Sequence, residues 1–131
     1  MSAFKKSPVI PRVVIADDDE HFRSVVVKAI EHAGGQVVGE AVDGNHALQL
    51  CRSLQPDWLF TDYEMPGLNG LELVEHLVDE GVASKVAVSS HSLNEALKGS
   101  FRELRVEYFF CKRGFAINAF IEYLKLNLFI G

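Results

Sequence analysis

The sequence lacks long apolar runs, clustered cysteines and stretches rich in basic residues. Its 131 residues include only two cysteines, Cys51 and Cys111, which are too few for a disulfide scaffold or a zinc site. No run of about 20 apolar residues could span a bilayer, and residues 1–6 lack the apolar core of a signal peptide. We therefore expect a protein of the reducing cytoplasm with no membrane contact.

The excess charge is acidic. Lys and Arg number 13 against 18 Asp and Glu, which gives a formal net charge of −5. Because no stretch is rich in Lys or Arg, we expect no direct binding of nucleic acid by this domain. Hydrophobic residues make up 48% of the chain and charged residues 24%, a balance typical of a globular fold. The length fits one domain.

A short apolar run followed by a helical pattern occurs five times along the chain. This alternation predicts parallel strands joined by right-handed helical crossovers. The sequence therefore predicts an α/β fold, a doubly wound five-stranded parallel sheet with helices on both faces. The predicted strands are 12–17, 36–42, 57–62, 85–89 and 107–111, and the later helices are 69–80, 93–104 and 115–129.

Polar side chains follow the strands whose carboxyl ends should form a binding crevice. If the strand order is 2-1-3-4-5, the acids after strands one and three face each other. Two like charges about 4 Å apart cost roughly 4 kcal/mol at an effective dielectric of 20, so a hard cation such as Mg²⁺ is expected among them. Carboxylates, a hydroxyl and an ammonium around Mg²⁺ indicate phosphoryl chemistry. The residues are Asp17, Asp18, Asp62, Glu64, Ser89 and Lys112.

These motifs resemble the receiver domain of two-component response regulators. The resemblance rests on residues 13–19, on the Asp-x-x-Met-Pro-Gly segment that begins at Asp62, and on Ser89 and Lys112, with spacings of 45, 27 and 23 residues between Asp17, Asp62, Ser89 and Lys112. It implies a flavodoxin-like (βα)5 fold with strand order 2-1-3-4-5. It also implies a receiver domain over residues 11–131 that follows an N-terminal extension over residues 1–10.

The resemblance assigns the chemistry residue by residue. Asp62 would accept a phosphoryl group from a phosphohistidine of a sensor histidine kinase or a phosphotransfer protein. Asp18 and Asp62, with the backbone carbonyl of Glu64, would ligate Mg²⁺, and Asp17 would hold the ion mostly through water. Ser89 and Lys112 would each contact a phosphoryl oxygen. The domain would thus assist its own phosphotransfer and dephosphorylation without being an enzyme with an external substrate.

The resemblance also implies a switch. Ser89 would move toward the phosphate, and Phe109 would follow it, changing the face formed by helices four and five to control a partner or output domain. Glu64 and His91 lie two residues beyond Asp62 and Ser89, and we interpret them as a pair that modulates dephosphorylation. Ser90 has no predicted task. Arg113 stands where the family usually has a proline.

Two other functions compete with this one. A Mg²⁺-dependent phosphohydrolase would use Asp17 and Asp19 as an Asp-x-Asp motif, although 131 residues leave little room for a substrate-selecting cap. A receiver-like binding module that has lost phosphorylation is the other alternative, and Arg113 is its only indication.

The last predicted helix carries more apolar side chains than one buried stripe requires. Tyr123, Leu126, Phe129 and Ile130 are the surplus residues. An apolar surplus suggests a partner surface, so we expect homodimerisation through this helix.

Overall fold

The computed structural model describes residues 9–129, and these form a five-stranded parallel sheet. The strands are β1 (Arg12–Ala16), β2 (Gln36–Ala41), β3 (Trp58–Asp62), β4 (Lys85–Ser90) and β5 (Val106–Cys111). Their order in the sheet is β2-β1-β3-β4-β5, which confirms the predicted fold class. Residues 1–8 of the predicted N-terminal extension, and the last two residues of the predicted 11–131 domain, lie outside the described residues.

Five helices follow the strands in alternation. They are α1 (Glu20–His32), α2 (Gly44–Leu54), α3 (Gly70–Asp79), α4 (Glu95–Ser100) and α5 (Ile117–Asn127). Asp19, Asp43, Asn69 and Asn94 each cap a helix by accepting a hydrogen bond from a backbone N–H of its first turn. No helix within residues 9–129 has both the length and the apolar character that crossing a bilayer requires.

The prediction was wrong about the length of α4. The helix covers six residues rather than 93–104, because it begins after the cap at Asn94 and ends before Phe101. The Phe101 ring is buried and makes edge contacts with the rings of Tyr63 and Phe109. No residue of α4 itself is buried. The buried ring of Phe101, together with the partly buried Leu97 of α4, therefore ties this segment to the core.

Each face of the sheet carries its own core because successive strand residues point to opposite faces. On one face, Val14 and Leu59 pack with the buried residues of α2 and α3. On the other face, Ile15 and Phe60 pack with the buried residues of α1 and α5. The central strands β1, β3 and β4 are buried along nearly their whole length, so packing on both faces positions their carboxyl ends relative to one another.

The apolar surplus of the last helix is smaller than predicted. The helix begins at Ile117 rather than Phe115, after Gly114 at a positive φ of 63°. Tyr123 is half-buried and stacks on Tyr108 with ring centroids 3.7 Å apart, so it is not a surplus residue. Leu126 is 68% exposed and Phe129 44% exposed, whereas Ile130 lies outside the described residues.

Candidate functional site

The carboxyl ends of four strands bring the predicted site residues together. Asp17 directly follows β1, and Asp62 ends β3, the neighbouring strand. Ser89 lies opposite Asp62 in the β3–β4 register, and Lys112 directly follows β5. Parallel strands place these residues on a single edge of the sheet, where an open α/β fold binds its ligands.

The ammonium of Lys112 links the acids of two strands. Its Nζ lies 2.9 Å from Asp17 Oδ2 and 3.0 Å from Asp62 Oδ2, and the lysine side chain is only 5% exposed. The Nζ also lies 4.9 Å from the centre of the Phe22 ring, which covers it from α1. Lys112 is thus a buried, fixed positive charge beside Asp62.

Ser89 approaches the other oxygen of Asp62. Its hydroxyl donates a hydrogen bond of 3.3 Å to Asp62 Oδ1, and both residues are buried. The backbone around them is closely packed, because a Cβ on Gly70 would lie 2.6 Å from the carbonyl oxygen of Asp62. Only glycine lets α3 begin so close to the end of β3. The two oxygens of Asp62 therefore face different partners, one a hydroxyl and the other an ammonium.

The acids of this edge fit a hard divalent cation. Carboxylate oxygens of Asp17, Asp18 and Asp62 lie within 4.8 Å of one another. Asp18 is exposed, while Asp17 and Asp62 are buried. Oxygen ligands from one or two carboxylates, completed by water, are what Mg²⁺ takes in proteins. The donor set therefore suits Mg²⁺, as the sequence predicted.

Burial places the two inner carboxylates under electrostatic strain. It raises the pKa of Asp62 to about 7, and the Asp17 charge adds to this effect, while Lys112 opposes it. Burial likewise raises the pKa of Asp17, against the hydrogen bonds from Lys112 and Asp19. Burial alone would lower the pKa of Lys112, but its bonds to Asp17 and Asp62 outweigh this and raise it. One lysine thus does not fully compensate two buried carboxylates.

Glu64 and His91 do meet at the mouth of the site, and a third residue joins them. The Ser90 hydroxyl donates to Glu64 Oε2 at 2.6 Å, and the His91 backbone N–H donates to Glu64 Oε1 at 3.3 Å. The Glu64 carboxylate therefore bridges the loops after β3 and β4. Ser90, for which the sequence predicted no task, thus anchors the Glu64 side chain.

Phe109, the predicted switch aromatic, lies on β5 and is half-buried. Its ring makes an edge contact with Phe101 at 5.6 Å, and Phe101 makes a similar contact with Tyr63 at 6.3 Å. Tyr63 directly follows Asp62. A continuous row of rings therefore joins the β3 end of the site to the strand beside α4 and α5.

Among the site contacts that the sequence did not predict are two hydrogen bonds. One is the Ser90–Glu64 bond described above. The other is Arg23, whose Nη1 donates to the carbonyl oxygen of Asp17 at 2.8 Å. Neither Ser90 nor Arg23 belongs to a motif. The Ser90–Glu64 bond joins residues 26 positions apart, and the Arg23 bond joins a helix to the loop before it. The only sequence signal is that Arg23 is the first Lys or Arg after the acidic run 17–20.

Arg113 does not disturb the site. The peptide bonds of residues 9–129 include none in the cis form, so the bond between Lys112 and Arg113 is trans. The Lys112 backbone N–H donates to the Ser90 carbonyl at 2.8 Å, which continues the pairing of β4 with β5. The lysine therefore reaches both acids although arginine follows it, where the resemblance leads us to expect proline.

The strain at Asp62 predicts that Asp62→Asn stabilises the metal-free protein increasingly as pH rises. A pKa of about 7 in the fold, against 3.8 ordinarily, means that folding is favoured while Asp62 is protonated. The stability that Asp62 contributes through this raised pKa is fully present below about pH 4 and is lost as pH rises through 7. Between pH 5 and 8 the advantage of the variant should grow by about 1–3 kcal/mol.

Urea unfolding in the presence of a chelator at both pH values measures this difference. Asp79→Asn, on the outer surface of α3, is the matched control and should show no such growth. If the difference in unfolding free energy between Asp62→Asn and the wild type did not change with pH, the raised pKa of Asp62 would be contradicted.

The comparisons with known proteins agree with this geometry. The family model described as "Response regulator receiver domain" matches residues 13–125. NarL, a nitrate/nitrite response regulator of Escherichia coli, is 36% identical over 84 residues, which cover 63% of this chain and 39% of NarL. A protein-glutamate methylesterase/protein-glutamine glutaminase of Koribacter versatilis is 29% identical over 75% of this chain and 27% of its own length.

Solved structures give the same result. The signal receiver domain of NarL from Mycobacterium tuberculosis superposes with a TM-score of 0.77 at 30% identity, covering 90% of this chain and 98% of that chain. The response regulator domain of Thermotoga maritima CheB gives 0.76 at 27% identity, over 92% of this chain and 91% of that one. The chain spans well under half the length of the curated relatives cited above.

Proposed function

The chain belongs to the response regulator receiver domain family, and we propose that it accepts a phosphoryl group on Asp62 from a sensor histidine kinase or a phosphotransfer protein. The observation that carries the proposal is the position of Asp62, a buried carboxylate between a hydroxyl and an ammonium. In the transfer, an Asp62 carboxylate oxygen attacks phosphorus. The bond from phosphorus to the histidine nitrogen breaks, and the nitrogen keeps the electron pair. The product is an acyl phosphate on Asp62.

The residues around Asp62 each have a task in this reaction. Asp18 and Asp62, with the backbone carbonyl of Glu64, would hold Mg²⁺, and Asp17 would contact it mostly through water. The bound ion would neutralise the charge that gathers on the phosphoryl oxygens during transfer. Lys112 lies within 3.0 Å of Asp62 and can donate to one phosphoryl oxygen. Ser89 can donate its hydroxyl to another.

We further propose that phosphorylation switches the surface formed by α4, β5 and α5. Ser89 would leave Asp62 for the phosphate, and the row of rings from Tyr63 to Phe109 would respond. Support comes from α4, a six-residue helix that buries none of its residues fully and packs on the core through the partly buried Leu97. A shift from 1:99 to 99:1 requires the phosphate to favour one conformer by about 5.5 kcal/mol.

The direct test is incubation of the wild type with Mg²⁺ and a small phosphodonor such as acetyl phosphate, followed by intact mass measurement. We expect a single added phosphoryl group, and we expect a chelator to prevent it. A chain that gains no phosphoryl group would instead support the binding module without phosphorylation. Steady turnover of a generic phosphate ester would support the phosphohydrolase.

The Glu64 carboxylate should shield the acyl phosphate from water. It bridges the segments that follow β3 and end β4, beside Asp62, by accepting hydrogen bonds from Ser90 and from the His91 backbone. We expect Glu64→Ala to shorten the lifetime of phosphorylated Asp62 several-fold, because the side chain that bridges the two loops is removed. His91→Ala should have a smaller effect, since its backbone N–H makes the contact. The measurement is loss of the phosphoryl mass with time.

Glu64→Gln is the matched control, because its amide oxygen can still accept the Ser90 hydroxyl. Its lifetime should stay nearer to that of the wild type. Unchanged lifetimes in both alanine variants would remove Glu64 and His91 from any modulating role.

We propose homodimerisation through the last helix as a second property. Leu126 and Phe129 are exposed apolar side chains at the end of the chain that the structure describes, 68% and 44% exposed. Sedimentation at high protein concentration should show a dimer, and Leu126→Lys should weaken it at least several-fold because a charge would enter the interface. A monomer at every concentration, with and without phosphorylation, would contradict the proposal.

A cytoplasmic location completes the proposal. Both cysteines are free, with Cys51 buried, as is usual for proteins of a reducing compartment. The proposal includes no direct contact of this domain with nucleic acid or membrane.

A further inference from the structure

Arg23 is a largely buried cation that touches the backbone of the acidic site. It lies in the first turns of α1, and its side chain is 14% exposed. The guanidinium has two partners on different elements. Its Nη1 donates to the carbonyl oxygen of Asp17 at 2.8 Å, and its Nε donates to Glu40 Oε1 on β2 at 3.0 Å. The planar guanidinium is thus fixed at two points.

The carbonyl that Arg23 binds belongs to the peptide that joins Asp17 to Asp18. Every other polar group of Asp17 also has a partner. Its backbone N–H donates to the Ala41 carbonyl at 3.0 Å, and Asp17 Oδ1 accepts the Asp19 N–H at 2.9 Å. Asp18 follows with an exposed carboxylate that belongs to the same group of three acids. This peptide is the backbone link between the two acids, and its orientation helps to set the direction in which the Asp18 side chain leaves the backbone.

We propose that Arg23 is a positioning residue that holds the Asp17–Asp18 peptide so that both carboxylates face one divalent cation, an inference that rests on the proposed function. Glu40 keeps the guanidinium in place. Without Arg23, the partly buried carbonyl of Asp17 loses its charged donor and turns to reach water, because an unpaired buried carbonyl is costly. The peptide then rotates and takes the Asp18 carboxylate with it. Partners of metal ligands commonly change metal affinity by 10–100-fold when they are removed.

The test compares Mg²⁺ affinity among arginine variants by calorimetric titration with MgCl₂ alone. Arg23→Met keeps an unbranched apolar side chain but removes every donor, and we expect at least tenfold weaker Mg²⁺ binding. Arg23→Lys keeps the charge and one donor group but cannot donate to both partners with the planar geometry of a guanidinium, so we expect an intermediate Mg²⁺ affinity. A second readout needs no metal: the backbone amide signals of residues 17–19 should shift in the NMR spectrum of Arg23→Met.

A matched control separates positioning from loss of a positive charge and from general loss of stability. Arg52→Met is the same replacement at a surface arginine, which donates to Glu80 between α2 and α3. It should bind Mg²⁺ like the wild type. Glu40→Gln keeps an oxygen that can accept from Arg23 but removes the charge that holds the guanidinium, so its loss of Mg²⁺ affinity should be smaller than that of Arg23→Met.

Each outcome decides between the alternatives. Wild-type affinity in Arg23→Met, or equal weakening in Arg23→Met and Arg52→Met, would overturn the positioning role. If the wild type binds Mg²⁺ and Arg23→Met binds it weakly, but Asp62 gains no phosphoryl group, the positioning role stands and the proposed function fails. If the wild type does not bind Mg²⁺, both fail.

Discussion

Asp62→Asn should abolish phosphoryl acceptance, which is the largest effect expected of any single substitution in this chain. The amide keeps the shape of the side chain and can still accept from Ser89, whose hydroxyl lies 3.3 Å from Asp62 Oδ1. It cannot form the acyl phosphate, because the nitrogen is a poor nucleophile and the remaining oxygen carries no charge. Intact mass after incubation with Mg²⁺ and acetyl phosphate should show no added phosphoryl group.

The neighbouring acids make this a strict test of which residue is the acceptor. Asp17 and Asp18 share the site, and either would be modified if the assignment were wrong. A phosphoryl group on Asp62→Asn, located by fragmentation at Asp17 or Asp18, would therefore refute Asp62 as acceptor. Asp79→Asn is the control for an aspartate replaced outside the site and should be phosphorylated like the wild type.

The site could be predicted from sequence because its residues lie at strand ends. Once the alternation of apolar runs and helical patterns gives the strands, topology alone places Asp17, Asp62 and Lys112 on one edge. Periodicity does not show that β1 pairs with β3. That strand order was implied by the resemblance to receiver domains. The structure adds a contact that no periodicity predicts, because the ammonium of Lys112 lies between the carboxylates of Asp17 and Asp62.

What the sequence could not give depends on side chains that reach across elements. Arg23 reaches from α1 to β2, and Ser90 reaches Glu64 on another loop, and neither contact follows from a helical or strand period. The same reason explains Tyr123. Its ring stacks on Tyr108 of β5, so a residue interpreted as surplus on a helical wheel is covered by a strand side chain. The length of α4 was overestimated because Leu97 and Phe101 continue the helical spacing although Phe101 leaves the helix.

Lys112→Met should impair both stability and phosphoryl acceptance. The ammonium is 5% exposed and lies 2.9–3.0 Å from Asp17 and Asp62, so its loss leaves two buried carboxylates without their cation. Removing one partner of a buried ion pair costs about 3–5 kcal/mol, and we expect the metal-free variant to lose stability of that order at pH 8. Removing a preorganised charge from a reacting site slows the reaction by about 10²–10³-fold, which is the expected loss in the rate of phosphorylation.

Both effects arise from the loss of the Lys112 charge, but low pH and Mg²⁺ should restore only the stability. Without Lys112 the pKa of Asp62, already raised to about 7 by burial and by Asp17, should rise further. The lost stability should therefore return in part below pH 6, where a proton replaces the missing charge, and also on saturation with Mg²⁺, whereas the rate should recover under neither condition. Lys98→Met, at an exposed lysine 4.0 Å from Glu95 on α4, is the matched control and should change neither quantity. If folded Lys112→Met were phosphorylated at the wild-type rate, the charge of Lys112 would contribute nothing to phosphoryl transfer. Lys112 would then serve only as a structural counter-ion to the two carboxylates.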